Sequence, residues 1–156
     1  MQIMFGNRSL KQASNGKLYM KPWYQNGLKF QCTQCGQCCT GSPGYVWVTP
    51  KEAEAMAEFL KISLNEFIQK YTRRIGNRIS LKEDSKTYDC IFLKGKKCQV
   101  YGARPQQCRT FPWWPENLKT PDHWKQAAAR CEGIDHPDAP FVSLSEIQHH
   151  LPENVP

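Results

Sequence analysis

Residues 30–39 read FQCTQCGQCC, placing Cys32, Cys35, Cys38 and Cys39 at C-x2-C-x2-C-C spacing. A packed core gains nothing from such a run, since Leu or Val fills the same space without a reactive sulfur. Four further cysteines, Cys90, Cys98, Cys108 and Cys131, bring the total to eight in 156 residues. Fold and function both turn on whether these thiols pair, react or bind metal.

Pairing into disulfides suits an even count in a small secreted domain. Here cysteine is only about 5% of the chain, below the roughly 8–10% of a disulfide scaffold. Residues 1–20 also lack an apolar stretch of roughly 7 to 15 residues, so no secretory signal peptide is expected. Thiol catalysis is the second option. A redox C-x-x-C pair sits in a βαβ pattern, which is absent around Cys32, and a dithiol does not need the repeat at Cys38.

Metal ligation fits best. Thiolates bind zinc and iron–sulfur clusters. C-x2-C lets two of them reach one centre across a tight turn, and Gly36 permits the backbone that such a turn demands. Structural zinc usually takes C-x2-C pairs, two plus two. The triple Cys32-x2-Cys35-x2-Cys38 instead follows the ferredoxin-type run that holds one cluster with a distant fourth ligand. That fourth ligand would come from Cys90, Cys98, Cys108 or Cys131. The reading therefore favours iron–sulfur, [4Fe-4S] foremost, with Zn2+ as the alternative. Eight thiolates could also fill two four-ligand sites. Neighbours Cys38 and Cys39 should point apart and can serve different sites. The histidines, His123, His136, His149 and His150, share no ligand spacing with the cysteines and read as surface residues.

The composition agrees with a metal-fastened fold. Hydrophobic residues make up 40% of the chain and the mean hydropathy is −0.65, so burial is modest and metal crosslinks would add stability. No run of about 18 apolar residues occurs, so no transmembrane helix is expected. A reducing, cytoplasmic setting follows as the expectation, the alternative being an organelle reached through a transit peptide removed ahead of residue 1. The net charge of +7 admits nucleic acid or an acidic partner. It equally suits Lys and Arg offsetting the negative charge of a thiolate cluster.

Along the chain, residues 1–21 read as a flexible basic arm. Tyr45–Val48 reads as a short strand. Thr49-Pro-Lys-Glu52 and Ser63-Leu-Asn-Glu66 are capping-box patterns opening two helices, the second running to about Arg73. Leu64, Phe67, Ile68 and Tyr71 recur at helical spacing and should face the core. Residues 78–83 alternate as a strand. Residues 89–93 and 98–101, around Lys94-Gly-Lys-Lys97, read as a hairpin that would bring Cys90 and Cys98 together. Residues 104–109 form a helical turn. Phe111-Pro-Trp-Trp-Pro115 cannot be regular helix. A third helix spans about 121–130 and a last short one starts at Ser143.

These residues together resemble the YkgJ-type cysteine-cluster family, also described as the CxxCxxCC zinc- or iron-chelating domain. The resemblance rests on WYQNGLKFQCTQCGQCC at 23–39, YVWVTPKE after it, and DCIFLKGKKCQVYGARPQQCRTFPWWPENL at 89–118. It ends at Cys131-Glu-Gly-Ile and covers roughly 22–134. It implies chelation of zinc or iron by the cysteines. A related family member, the flagellin lysine methylase, raises an enzymatic reading, but no Gly-rich loop for a methyl donor is present. Within the pattern, Arg104 and Arg109 flank Cys108 and would neutralise thiolate charge, while Pro105 fixes the chain's approach. Phe111, Trp113 and Trp114 read as a cover over the site or as ordinary core.

The expectation is a small α+β domain: a cysteine-cluster core over 22–134 and a C-terminal tail over 135–156 with a short helix. Its function would be metal binding with a redox or accessory role beside an unidentified protein or redox partner. The alternative is a zinc-stabilised module for protein or nucleic acid. No membrane is involved in either reading. No catalytic base stands out, since neither Glu83 nor Asp89 is paired with a nucleophile.

Overall fold

The computed structural model describes residues 20–151. The expected arm over 1–21 therefore lies, but for its last two positions, outside the described residues. In chain order the elements are β1 (Leu28–Lys29), a 3-10 turn (Gln37–Cys39), β2 (Trp47–Val48), α1 (Pro50–Leu60), α2 (Leu64–Tyr71), β3 (Thr72–Ile75) and β4 (Arg78–Leu81). They continue with β5 (Leu93–Lys94), β6 (Lys97–Cys98), a second 3-10 turn (Tyr101–Ala103), α3 (Gln106–Arg109), α4 (Pro115–Leu118), α5 (Pro121–Ala128), β7 (Phe141–Val142) and α6 (Leu144–His150). Three small antiparallel sheets, β2-β4-β3, β1-β7 and β5-β6, give an α+β fold.

The first core grows from strong local signals. Thr49 accepts from Glu52 N, and the Glu52 carboxylate accepts from Thr49 N at 2.8 Å, so the expected capping box is complete with Pro50 at the first helical position. α1 then buries Ala53, Met56 and Ala57. Ser63 caps α2 through Glu66 N at 3.1 Å. Of the face expected inward on α2, Phe67 is fully buried, and Ile68 and Tyr71 pack at its edge. Leu64, expected on the same face, is instead 40% exposed.

α2 also stops at Tyr71 rather than near Arg73. Thr72 turns extended and opens β3, which pairs with β4 from Thr72↔Leu81 to Ile75↔Arg78. Alternation along the three-stranded sheet sends Val48 and Leu81 into the core with Phe92 and Val100. Each large apolar side chain buried here contributes about 1.5–3 kcal/mol.

The hairpin is shorter than its sequence suggests. Only Leu93↔Cys98 and Lys94↔Lys97 pair, around Gly95 at φ 59. Leu93 N donates back to Cys90 O, turning the chain, and Cys90 instead bridges Glu83 beyond the end of β4. Strand pairing therefore does not set Cys90 opposite Cys98.

The second core joins distant segments. β1 pairs with β7 through Leu28↔Val142 and Lys29↔Phe141, and Phe30 bridges Ile134. Leu28, Trp113, Leu118, Trp124, Cys131, Ile134 and Ile147 cluster there, with Trp113 stacked on Trp124 at 5.4 Å. Phe111–Trp114 is irregular as expected, but Pro115 opens α4, a helix the sequence did not suggest. α5 ends at Ala128, sooner than 130. The stretch after 134 carries β7 and α6, and a full Ser143–Glu146 capping box aims Ile147 of α6 into the second core.

Candidate metal centre

All eight cysteines line one cavity of about 150 Å3. It lies where the two cores meet: Cys90 and Cys98 pack against the first, and Cys131 belongs to the second.

The 31–39 loop enters from β1. Gln31 N donates to Gly133 O at 3.1 Å, and a Cβ on Gly133 would collide with Gln31 O, so the two segments meet too closely for any side chain at 133. Thr33 Oγ1 donates to Glu132 Oε1 at 2.7 Å. Beyond Cys35 the chain reverses at Gly36, whose φ is 77 and whose Cβ would stand 2.5 Å from Lys96 O. This is the turn that the C-x2-C spacing called for. The 3-10 turn that follows delivers Cys38 and Cys39, and Cys39 O accepts from Cys90 N at 2.8 Å. Cys98 arrives on β6 and Cys108 on α3, whose approach is fixed by the buried Pro105. Cys131 follows α5, its N–H bonded to Ala128 O.

The thiols perturb one another. Cys39 lies in hydrogen-bonding reach of Cys38 and Cys98. Its single S–H, within reach of either neighbour, brings Cys38 down to about 7 and Cys98 down to about 6, with Arg104 assisting both. Cys39 is driven up in return, first by these same bonds and then by burial. Burial pushes Cys108 up to about 12, with the charges of Cys90, Cys38 and Cys98 adding to it. Burial also raises Cys90 and Cys131. Part of the ring is thus primed to ionise and part holds its protons until a cation displaces them.

Arg104 and Arg109 both line the cavity. Arg104 Nε donates to Tyr101 O at 2.8 Å, and its guanidinium lies 3.5 Å over the Tyr101 ring. The Cys32 thiol beside Tyr101 raises the phenol's pKa, and burial adds to it. Tyr101 belongs to the residues that carry the family resemblance, but its sequence context gave it no role. Gln107, one residue before Cys108, was likewise passed over. It lines the cavity and ties it to β2, accepting from Trp47 N and donating to Tyr45 O, both at 2.9 Å. A lone Gln in a helical turn carries no signal of that kind.

Phe30, Phe111 and Trp114 form apolar wall. Trp113 does not cover the site: the turn that bonds its N–H to Thr110 O at 2.8 Å leaves it 3% exposed inside the second core. No histidine reaches the cavity. His136 and His149 are exposed, His123 meets Thr120 Oγ1 at 2.7 Å, and His150 lies over Trp113. Glu83 pairs with Arg73 at 2.9 Å.

Among the described residues, no three His, Cys, Asp or Glu side chains converge as the ligands of one ion do. The thiols ring a space roughly ten times the ~10–15 Å3 that one water requires. An all-thiol donor set spread around such a space fits a multinuclear iron–sulfur group, which distributes its thiolates over several irons. A structural zinc site of four thiolates draws on the same donors.

A family model described as "CxxCxxCC: Putative zinc- or iron-chelating domain" matches residues 31–132. An uncharacterized protein of Methanocaldococcus jannaschii is 39% identical over 93 residues, 58% of this chain and 48% of that protein. The match thus spans about half the length of that curated relative. No solved structure matches the chain.

Proposed function

The chain belongs to the CxxCxxCC family of zinc- or iron-chelating domains, and on that premise we propose that its thiols hold an iron–sulfur cluster, a [4Fe-4S] centre, in a protein with a redox or accessory role. One observation carries the reading: eight thiols, and no other strong metal donor, line a single cavity too roomy for one ion. A cluster of this class supplies one-electron transfer when bound.

Cys32, Cys35 and Cys38 would hold it from the loop. Cys131 is the best-placed fourth ligand, since its thiol feels the charges of Cys35 and Cys38. Cys39, Cys90, Cys98 and Cys108 remain as a second set of four thiols. The chain's other residues shape the environment. Arg104 lowers the pKa of Cys38 and Cys98 and so favours their thiolates. Phe30, Phe111 and Trp114 exclude water, which strengthens that interaction. Gly36 lets the loop close against Lys96.

The test is anaerobic purification with assay of iron, zinc and acid-labile sulfide. About four irons and four sulfides per chain are expected. One or two zincs without sulfide would overturn the reading and leave a zinc-stabilised module for protein or nucleic acid. Cys35→Ser should lose the metal, and a folded Cys35→Ser variant with full metal content would sink the ligand assignment.

A further inference from the structure

The β2-β4-β3 sheet borders the thiol cavity on one side and carries partly exposed aromatic and basic side chains on the other. On its inner side Val46 and Leu81 line the cavity. Alternation sends Tyr45 and Trp47 of the β2 segment outward, beside Arg73 on β3 and Arg78 on β4. The outward side chains form one column. The Arg78 guanidinium lies 3.8 Å from the centre of the Trp47 ring, Trp47 stacks on Tyr45 at 4.9 Å and 19°, and Arg73 covers Tyr45 at 5.1 Å. Tyr45 is 49% exposed, and Arg78 is exposed and makes no ion pair among the described residues.

We infer that this outer face docks a protein partner with an acidic surface. The partner's class, an acidic one-electron carrier, rests on the iron–sulfur reading above, whereas the docking rests on charge and shape alone. Three features point this way. The chain carries +7, and an unpaired guanidinium on this face matches a carboxylate cluster. Stacked aromatic rings beside Arg supply the kind of rigid, amphipathic contact that anchors protein interfaces. The face also connects to the cavity through Gln107, which bonds to the backbone at Tyr45 and Trp47 and precedes Cys108. Nucleic acid is the less suited polyanion. Base stacking needs open ring faces, and in this column each ring is already engaged by its neighbour ring and by a guanidinium.

The purified full chain is titrated calorimetrically with a ferredoxin of strongly negative net charge, and separately with a single-stranded oligonucleotide. Ferredoxin binding is expected at low salt, weakening as salt rises. Arg78→Glu should weaken it about tenfold or more, with circular dichroism unchanged. Lys125→Glu, on α5, should leave it unchanged. No ferredoxin binding, equal binding by Arg78→Glu, or tighter binding of the oligonucleotide through Arg78 would each overturn the docking face. Metal and sulfide assays on the same preparations separate the two claims. Zinc-loaded protein that still docks through Arg78 retires only the iron–sulfur reading. Iron–sulfur-loaded protein that does not dock retires only the face.

Discussion

The two cores are built in opposite ways. The first draws all its buried residues from one stretch, Val48 to Val100, with capped helices and a tight strand pair. The second takes Leu28 from one end of the described chain and Trp113 to Ile147 from the other. Closing so long a loop costs entropy, though the cost grows only logarithmically with length. The thiol cavity occupies the junction, fed by the 31–39 loop that runs from one core to the other. Metal held there would crosslink both, so occupancy and the docking of the second core are thermodynamically linked.

The largest expected effect tests that linkage. Metal binding contributes folding free energy, about 10–16 kcal/mol in structural zinc peptides. Even a fraction of that would lower Tm by more than about 10 °C when the metal is stripped. Hydrogen exchange should then rise first in α5, α6 and the β1-β7 pair, while α1 and the β3-β4 pair stay protected. Simultaneous loss of protection in both cores would break the comparison.

A smaller effect sharpens it. Met56 and Ile147 are both fully buried, one in each core. Truncation of either to alanine should cost about 2–5 kcal/mol in urea unfolding of the loaded protein. The variants should part in metal retention. Ile147→Ala loosens the core that carries Cys131 and should release metal to a chelator faster than Met56→Ala does. Equal release rates would mean that the cavity draws on both cores alike.

What the sequence disclosed follows the same division. The first core was largely readable, because Thr49–Glu52 and the alternation read over 78–83, of which β4 takes Arg78–Leu81, are signals within a few residues. The hairpin over 89–101 was read too long, since a backbone turn at Cys90–Leu93 intervenes, although Cys90 and Cys98 do share the cavity. The second core was scarcely readable. β1 and β7 are two residues each, and a pairing between positions 28 and 142 leaves no local trace. The resemblance and the cysteine spacings pointed to all eight thiols that now share the cavity. The roles of Tyr101, itself part of the resemblance, and of Gln107 stayed hidden, since they depend on neighbours that only folding supplies.

The smallest effect compares the same capping device in the two regions. Burial raises the Glu52 carboxyl, but the N–H groups of Gln106 and Thr49 outweigh it and hold the group below its usual 4.5. Glu146 is lowered as well, by the Ser143 hydroxyl and N–H. A carboxylate held low in the folded state stabilises above its unfolded value, and that contribution is lost as pH falls through the folded value. Glu146 serves only its own helix. Glu52 also receives Gln106 N at 2.6 Å and so ties α1 to α3, which carries Cys108. Glu52→Gln should cost about 0.5–1 kcal/mol at pH 7, the lower end for a capping contact because the carboxyl keeps part of its contact with solvent. Glu146→Gln should cost less. The gap between wild type and Glu52→Gln in urea midpoints should narrow from pH 7 down through the carboxylate range. A gap that does not change with pH would mean that Glu52 acts by its hydrogen-bond geometry and not by its charge.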